Sequence, residues 1–191
     1  MVPKNKYFVH ESSYIDKDVL IGRKTNIWHF SHIQSGSKIG KHTTIGQNVN
    51  IGNNVVIGNF VKIQNNVSVY EGVEIEDYAF CGPSMVFTNV LVPRSEFPQR
   101  GSKFYTKTIV KKSASIGANA TIICGTIIGK YALVGAGTVV TKNIPDFALV
   151  IGNPGKIIGW VNKKGENLIF DDSGKSLCKG YSLEDNIVRE L

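Results

Sequence analysis

The chain has three cysteines in 191 residues, Cys81, Cys124 and Cys178. The number is odd and the spacing suits neither a disulfide framework nor a metal knuckle. A reduced, cytoplasmic protein is expected, with Cys81 and Cys124 as packing residues. No apolar run approaches the ~18–20 residues of a membrane-spanning helix. The opening Met-Val-Pro-Lys-Asn-Lys-Tyr has no apolar core of a secretory leader. A dense basic stripe is also missing. The formal charge is +7, yet adjacent lysines occur only at Lys111-Lys112 and Lys163-Lys164. Nucleic-acid binding would favour basic residues clustered and interleaved with aromatics. The mild excess suits small phosphorylated ligands, or simply a soluble basic surface.

What the chain does have is a period. Ile15, Ile21, Ile27, Ile33, Ile39, Ile45, Ile51, Ile57, Ile63, Val69 and Ile75 recur every sixth residue. The series resumes at Val110, Ile116, Ile122, Ile128, Val134 and Val140. Six fits neither a helix of period 3.6 nor an alternating strand of period 2. It is the mark of a parallel β-helix in which three hexapeptides close a triangular coil of about 18 residues. β-Branched side chains suit the crowded inward position. Glycine follows directly in Ile21-Gly22, Ile39-Gly40, Ile45-Gly46 and several later repeats, where close packing at a corner excludes a Cβ. Asn48, Asn50, Asn53, Asn54, Asn59, Asn65 and Asn66 add a residue that tolerates left-handed backbone. A sandwich would break its strands irregularly every 8–12 residues, and seventeen in-phase positions speak against it.

The register implies four coils over residues 15–86 and two over 110–145, with residues 1–14 as a cap on the first. The whole reads as a β-helix domain over 1–159 with an inserted loop at 87–109 and a capping tail at 160–191. Phe87 and Val110 lie 23 residues apart, which is not a multiple of six. A long loop interrupting a regular solenoid is usually functional. In the tail, Ser182-Leu183-Glu184-Asp185 resembles a capping box, and Leu183, Ile187 and Leu191 recur every four residues. This pattern predicts a short terminal helix covering the lower end of the stack, where open strand edges would invite aggregation.

Several blocks carry a closer resemblance: Ile27-Trp28-His29-Phe30-Ser31-His32, Lys62-Ile63-Gln64-Asn65-Asn66-Val67-Ser68-Val69-Tyr70, Phe80-Cys81-Gly82-Pro83-Ser84-Met85-Val86-Phe87-Thr88-Asn89 and Lys111-Lys112-Ser113-Ala114-Ser115-Ile116-Gly117. The chain resembles the hexapeptide-repeat acyltransferases, and within them the sugar-nucleotide 3-N-acetyltransferases, over about residues 8–162. The resemblance implies a left-handed parallel β-helix, an exception to the right-handed crossover rule. It further implies a homotrimer with active sites between subunits. The reaction implied is transfer of acetyl from acetyl-CoA, the cosubstrate, to the C3 amine of a dTDP- or UDP-linked 3-amino-3-deoxysugar, for surface polysaccharide or S-layer glycan. No metal is expected. Relatives acting on the 3-amino glucuronate sugar typically read Phe-Thr-Asn-Val-Tyr-Asn-Pro-Arg. Here the run is Phe87-Thr88-Asn89-Val90-Leu91-Val92-Pro93-Arg94-Ser95. Leu91 and Val92 suit a C6 methyl better than a carboxylate, which favours a dTDP-3-amino-3,6-dideoxyhexose over the UDP-2-acetamido-3-amino glucuronate.

On this resemblance Asn89 is the leading catalytic residue, standing where the family holds the reacting amine and where the repeat breaks. His29 and His32 are either a base, sugar ligands or interface packing, since neither occupies the inward position. Trp28 reads as packing at a seam. Arg94 suits a pyrophosphate through its planar guanidinium, Glu96 the sugar hydroxyls, and Asn65 and Asn66 the substrate side. Ser84, Gly135, Ala136, Lys142, Asn153 and Lys156 are assigned to coenzyme A. Gly135-Ala136-Gly137 is equally a plain corner, and either lysine a solvated one. Two alternatives share the fold. An O-acetyltransferase needs a histidine base near the acyl carbon, and no histidine follows His42. A γ-type carbonic anhydrase needs three histidines on one zinc, whereas His10, His29, His32 and His42 are all N-terminal.

Overall fold

The computed structural model describes residues 7–178 and 180–191. Its architecture follows from one spacing. Strands mostly two residues long pair in parallel with the strand eighteen residues away, as in Asn26–Ile27 with Thr44–Ile45 and Thr44–Ile45 with Lys62–Ile63. Three sheets result. The first face runs from Phe8–Val9 to Ala148–Ile151, the second from Tyr14–Ile15 to Val139–Val140, and the third from Leu20–Ile21 to Ile127–Ile128. The expected hexapeptide β-solenoid is therefore present, with repeats of about 18 residues stacked as coils. Main-chain bonds such as Trp28 N–H to Ile45 O (3.0 Å) and Gly46 N–H to Ile63 O (2.8 Å) join each coil to the next. Among the described residues no helix is long and apolar enough to cross a membrane.

The stack is longer than the aliphatic period alone suggests. Phe8–Val9 already pairs with Asn26–Ile27, so the upper coil begins before Ile15. The expected cap over 1–14 is corrected for residues 8–14, which belong to that coil; residues 1–6 lie outside the described residues. At the other end Ile144 bridges to Ile128 and Val150 pairs with Val134, so coiling continues past Pro145 with a shortened interval of sixteen. The inward positions survive the shortening, because Ile144 and Val150 remain buried.

Each hexapeptide points two side chains inward. Ile27, Ile33, Ile45, Ile51 and Ile63 are fully buried on the strands. Two residues earlier in each repeat lies a second buried column: Thr25, Ser31, Ser37 and Thr43, then Val49, Val55, Val61 and Val67. In the upper coils the hydroxyls brace the stack. Thr43 Oγ1 donates to Gly58 O (2.9 Å) and accepts from Val61 N–H (3.2 Å), and Ser31 Oγ does the same with Gly46 O and Val49 N–H (2.8 and 3.1 Å). Glycine is required where coils touch: a Cβ on Gly40 would lie 2.4 Å from Gly58 O.

The corner between the third and first faces carries a column of rings in left-handed backbone: His42, Phe60, Tyr78, Tyr131 and Phe147 have φ between 57° and 64°. That conformation costs roughly 1–2 kcal/mol for a residue with a Cβ. Stacking offsets much of it, at about 0.5–1.5 kcal/mol per aromatic pair. Phe60 and Tyr78 lie 4.8 Å apart and 3° from parallel, with His42 stacked 4.8 Å above Phe60.

The register is also lengthened, by an insertion that leaves the strands on either side paired. Ile57 pairs with Ile75 at the normal interval, but Ile75 pairs with Val110 at an interval of 35. The extra segment leaves at the corner between the second and third faces and returns to the next coil position.

Below the last coil, Ala148–Ile151 pairs antiparallel with Lys156–Trp160. The end of the tail is a hairpin, Tyr181–Glu184 with Ile187–Glu190, not the expected helix. The reason is the turn. Asp185 and Asn186 both adopt positive φ (49° and 58°), the geometry of a two-residue hairpin turn that suits Asp and Asn. Ile187 and Leu191 are 49% and 79% exposed, so the four-residue recurrence was never a buried stripe. Val188 is buried instead, opposite Leu183, and both join the core that contains Trp160 and Leu168.

Two measurements test this packing. Thr43→Val should keep the shape but strip two main-chain partners, lowering unfolding free energy by about 1–3 kcal/mol in urea titrations. Burial pushes the Cys81 thiol up to about 12, so in native protein a thiol reagent should label exposed Cys178 quickly and Cys81 only after unfolding.

Candidate active site

The inserted segment sets the geometry. Thr88 closes the fifth second-face strand, and its Oγ1 accepts from Cys124 N–H at 2.9 Å. Asn89, half-buried, is the first residue off the coil wall. Its carbonyl accepts from Thr106 N–H (3.0 Å), which pins the exit of the loop to its return. Its Nδ2 makes a long 3.5 Å bond to Glu71 O, in the corner of the coil above. That leaves Oδ1 as the acceptor an approaching donor would meet.

Residues 91–98 are exposed throughout, so the loop is held by few contacts. Ser102 Oγ donates to Glu71 Oε1 at 2.7 Å, and Lys107 pairs with Glu74 at 2.7 Å where the chain rejoins the coil. The loop folds around a pocket of about 290 Å³ lined by Val90, Arg94, Ser95, Gln99 and Arg100. Arg94 Nη1 donates to Pro93 O (2.9 Å), which orients the guanidinium. Two guanidinium-bearing residues and an amide on one small pocket suit a diphosphate. Arg100 and Gln99 were not singled out from sequence; their signal was the composition of the loop itself. Glu96 is exposed and lies outside this lining. Leu91 and Val92 are exposed near Asn89 in sequence, 64% and 51%.

The other candidates fall elsewhere. Asn65, Asn66 and Ser84 occupy the corner between the first and second faces, across the second face from Asn89. There Asn65 Oδ1 accepts from Gln47 N–H (2.9 Å), and Asn66 Oδ1 accepts from Asn48 Nδ2 (3.0 Å) with φ 61°. These bonds tie coil to coil. His29 shares that corner higher up, its ring stacked on His10 at 3.5 Å. Trp28 is 43% exposed beside it. His32 stands on the second face itself, its Nε2 bonded to Asp16 Oδ1 at 2.8 Å. It lies three strands above Val86–Phe87, or about 14 Å at the usual strand spacing. Within one protomer, then, neither histidine reaches Asn89. Between the two groups the outward second-face column reads Tyr14, His32, Asn50, Ser68, Val86, Thr121 and Val139, without a lysine, arginine or glutamate.

Lower down, Lys142 lines a pocket of about 190 Å³ with Thr141, Val150, Gly155 and Ile157. An apolar floor with a lysine at its rim fits a pantetheine chain and its phosphates. Lys156 and Asn153 are exposed beside it, at and before the antiparallel return. Gly135 has a structural duty, because a Cβ there would lie 2.6 Å from Ile151 Cγ2. Ala136 is exposed on the corner that Gly137 turns with φ 69°. No three His, Cys, Asp or Glu side chains converge as metal ligands among the described residues.

The Asp16–His32 bond is directly testable. It holds the Asp16 carboxyl below its ordinary range. The bond therefore favours the native state at neutral pH, and that contribution fades as acid takes the pH down through the lowered value. In a carboxyl NMR titration, His32→Ala should move the Asp16 midpoint upward.

Comparison with known proteins agrees with this architecture. Residues 18–53 and 107–142 match the family described as bacterial transferase hexapeptide (six repeats), and 38–71 match the hexapeptide repeat of succinyl-transferase. Over 90 residues the chain is 51% identical to dTDP-3-amino-3,6-dideoxy-alpha-D-galactopyranose 3-N-acetyltransferase of Aneurinibacillus thermoaerophilus, a match covering 46% of each. Over 60 residues, 31% of the chain and 23% of the relative, it is 43% identical to serine acetyltransferase of Buchnera aphidicola. The chain thus spans less than half the length of these curated relatives. Among solved structures, an alanine mutant of AntD, an N-acyltransferase from Bacillus cereus in complex with dTDP and coenzyme A, superposes with a TM-score of 0.53. That match has 19% identity and covers 83% of this chain and 84% of the other. A mutant GDP-perosamine N-acetyl transferase from Caulobacter crescentus gives a TM-score of 0.52 at 23% identity, covering 79% and 55%. At such identities these two structures speak for the fold. These repeat matches agree with the stacked coils of about 18 residues that the strand pairing shows.

Proposed function

We propose that the protein transfers acetyl from acetyl-CoA to the C3 amine of a dTDP-linked 3-amino-3,6-dideoxyhexose. The observation that carries this reading is the 51% identity over 90 residues to an enzyme named for that reaction. The apolar pair Leu91 and Val92 beside Asn89 agrees with a C6 methyl rather than a carboxylate. The cytoplasm is the location that goes with this reading.

The chemistry asks little of a base. The neutral amine attacks the thioester carbonyl, the N–C bond forms, and the C–S bond breaks. Coenzyme A leaves as a thiolate and takes up, directly or through water, the proton the amine gives up. Orientation is then the main contribution, since aligned reactants supply much of the rate. Asn89 Oδ1 would accept from an amine N–H and aim the nitrogen lone pair at the carbonyl. Arg94 and Arg100 would hold the diphosphate in the loop pocket, while Lys142 and Lys156 would meet coenzyme A phosphates.

We infer that the site is completed between copies in a homotrimer. The motivation is the separation within one protomer: Asn89 and the arginines lie at one edge of the second face, and His29, Asn65, Asn66 and Ser84 at the other. The column between them, which carries no lysine, arginine or glutamate, suits burial against a neighbour. His29 or His32 would then serve from the adjacent subunit as sugar ligand.

A thiol-release assay with acetyl-CoA tests the reading. Turnover should be fastest with the dTDP-linked 3-amino-3,6-dideoxyhexose, slower with the UDP-linked 3-amino glucuronate, and negligible with the corresponding 3-hydroxy sugar. Asn89→Ala should lower kcat about tenfold or more while oligomeric state and Tm hold. An unchanged rate would remove Asn89 from the mechanism.

A further inference from the structure

We propose that Glu71 is a positioning residue that latches the loop of residues 88–107 against the coil and thereby sets the geometry of the nucleotide-sugar site. The inference rests on the reaction proposed above for its kinetic readout, but not for its structural one.

Glu71 touches the loop at both ends. Its main-chain carbonyl receives Asn89 Nδ2 at 3.5 Å where the loop leaves. Its carboxylate receives Ser102 Oγ at 2.7 Å, thirteen residues further on, and Asn54 Nδ2 from the coil above at 3.4 Å. One corner residue therefore orients the candidate amide and ties down the far arm. The short turn Ser102–Phe104 that carries the latch follows Arg100 by two residues, and Arg100 lines the pocket with Arg94. Release of Ser102 would free the arm bearing one of the two arginines.

Among the described residues no other hydrogen bond ties residues 91–104 to the coil. Residues 91–98 and 100–104 are exposed, and the Lys107–Glu74 pair sits at the point of return, beyond the arm it would need to hold. Glu71 itself is half-buried at the foot of the loop.

The experiment compares the full-length protein with Glu71→Ala, Ser102→Ala, the double variant and Glu71→Gln. The first readout is limited trypsin digestion, following cleavage after Arg94, Arg100 and Lys103 by mass spectrometry. Both alanine variants should be cut faster at these sites and the double variant no faster than either, because one bond is being removed. Glu71→Gln keeps an acceptor oxygen and should stay near wild type. The second readout is steady-state kinetics. The alanine variants should raise KM for the dTDP-sugar roughly three- to tenfold, with KM for acetyl-CoA and Tm unchanged. Unaltered cleavage in Glu71→Ala overturns the latch. Faster cleavage with an unaltered sugar KM overturns its positioning role. If the wild-type protein turns over no nucleotide sugar, the proposed reaction falls while the cleavage rates still decide the latch.

Discussion

Parallel bonding between residues eighteen apart is the constraint on which the rest of this molecule depends. Each two-residue strand is too short to be stable alone. It persists because the strands above and below satisfy its N–H and C=O groups while its aliphatic residue stacks on equivalents in both neighbours. The tight spacing that makes this work also forbids side chains where coils touch. Gly40 illustrates the limit, since a Cβ there would run into the Gly58 carbonyl. Corners pay for the tight turn with left-handed backbone, and the ring column from His42 to Tyr78 recovers part of that energy by stacking.

The same rigidity explains how a loop can be inserted without disturbing the fold. The interval jumps from 18 to 35 on the third face, and the strands on either side remain in register. A stiff coil wall thus presents a loop that is mostly exposed, held at its base by the Asn89–Thr106 bond and along its far arm by Glu71 and Ser102. A rigid scaffold carrying an exposed loop is a common division of labour at binding sites. Here it places one amide, Asn89, where coil ends and loop begins, and gathers Arg94 and Arg100 around a pocket that the coil alone could not form.

Much of the fold was readable from one column of residues. The isoleucines from Ile15 to Ile75 carried period, coil size and inward direction. A second column at the same period, Thr25, Ser31, Ser37 and Thr43 followed by valines, escapes a hydrophobic pattern because it mixes polar and apolar types. The hydroxyls are buried only because each meets a glycine carbonyl one coil away, a partner invisible to a scan for hydrophobicity. The terminal hairpin departs from the predicted helix for a related reason. Leu183, Ile187 and Leu191 keep helical spacing, but Asp185-Asn186 is also a hairpin turn, and the core below the last coil takes Leu183 and Val188 from two paired strands.

The candidate site divides along the same line. Asn89 is a candidate because the family resemblance and the break in the repeat coincide there, and Arg94 and Lys142 are candidates by their side-chain chemistry. Which of them share a cleft is not local. Asn65 and Asn66 are spent on bonds between coils, His32 is engaged with Asp16, and Gly135 makes room for Ile151. By itself the sequence determined a stack of three-sided coils, because a branched residue at every sixth position fits neither helical nor alternating burial. Only the tertiary structure decided which of these residues are engaged in bonds between coils and how the loop is tethered, because those contacts join residues sixteen or more apart whose pairing depends on where each coil comes to rest.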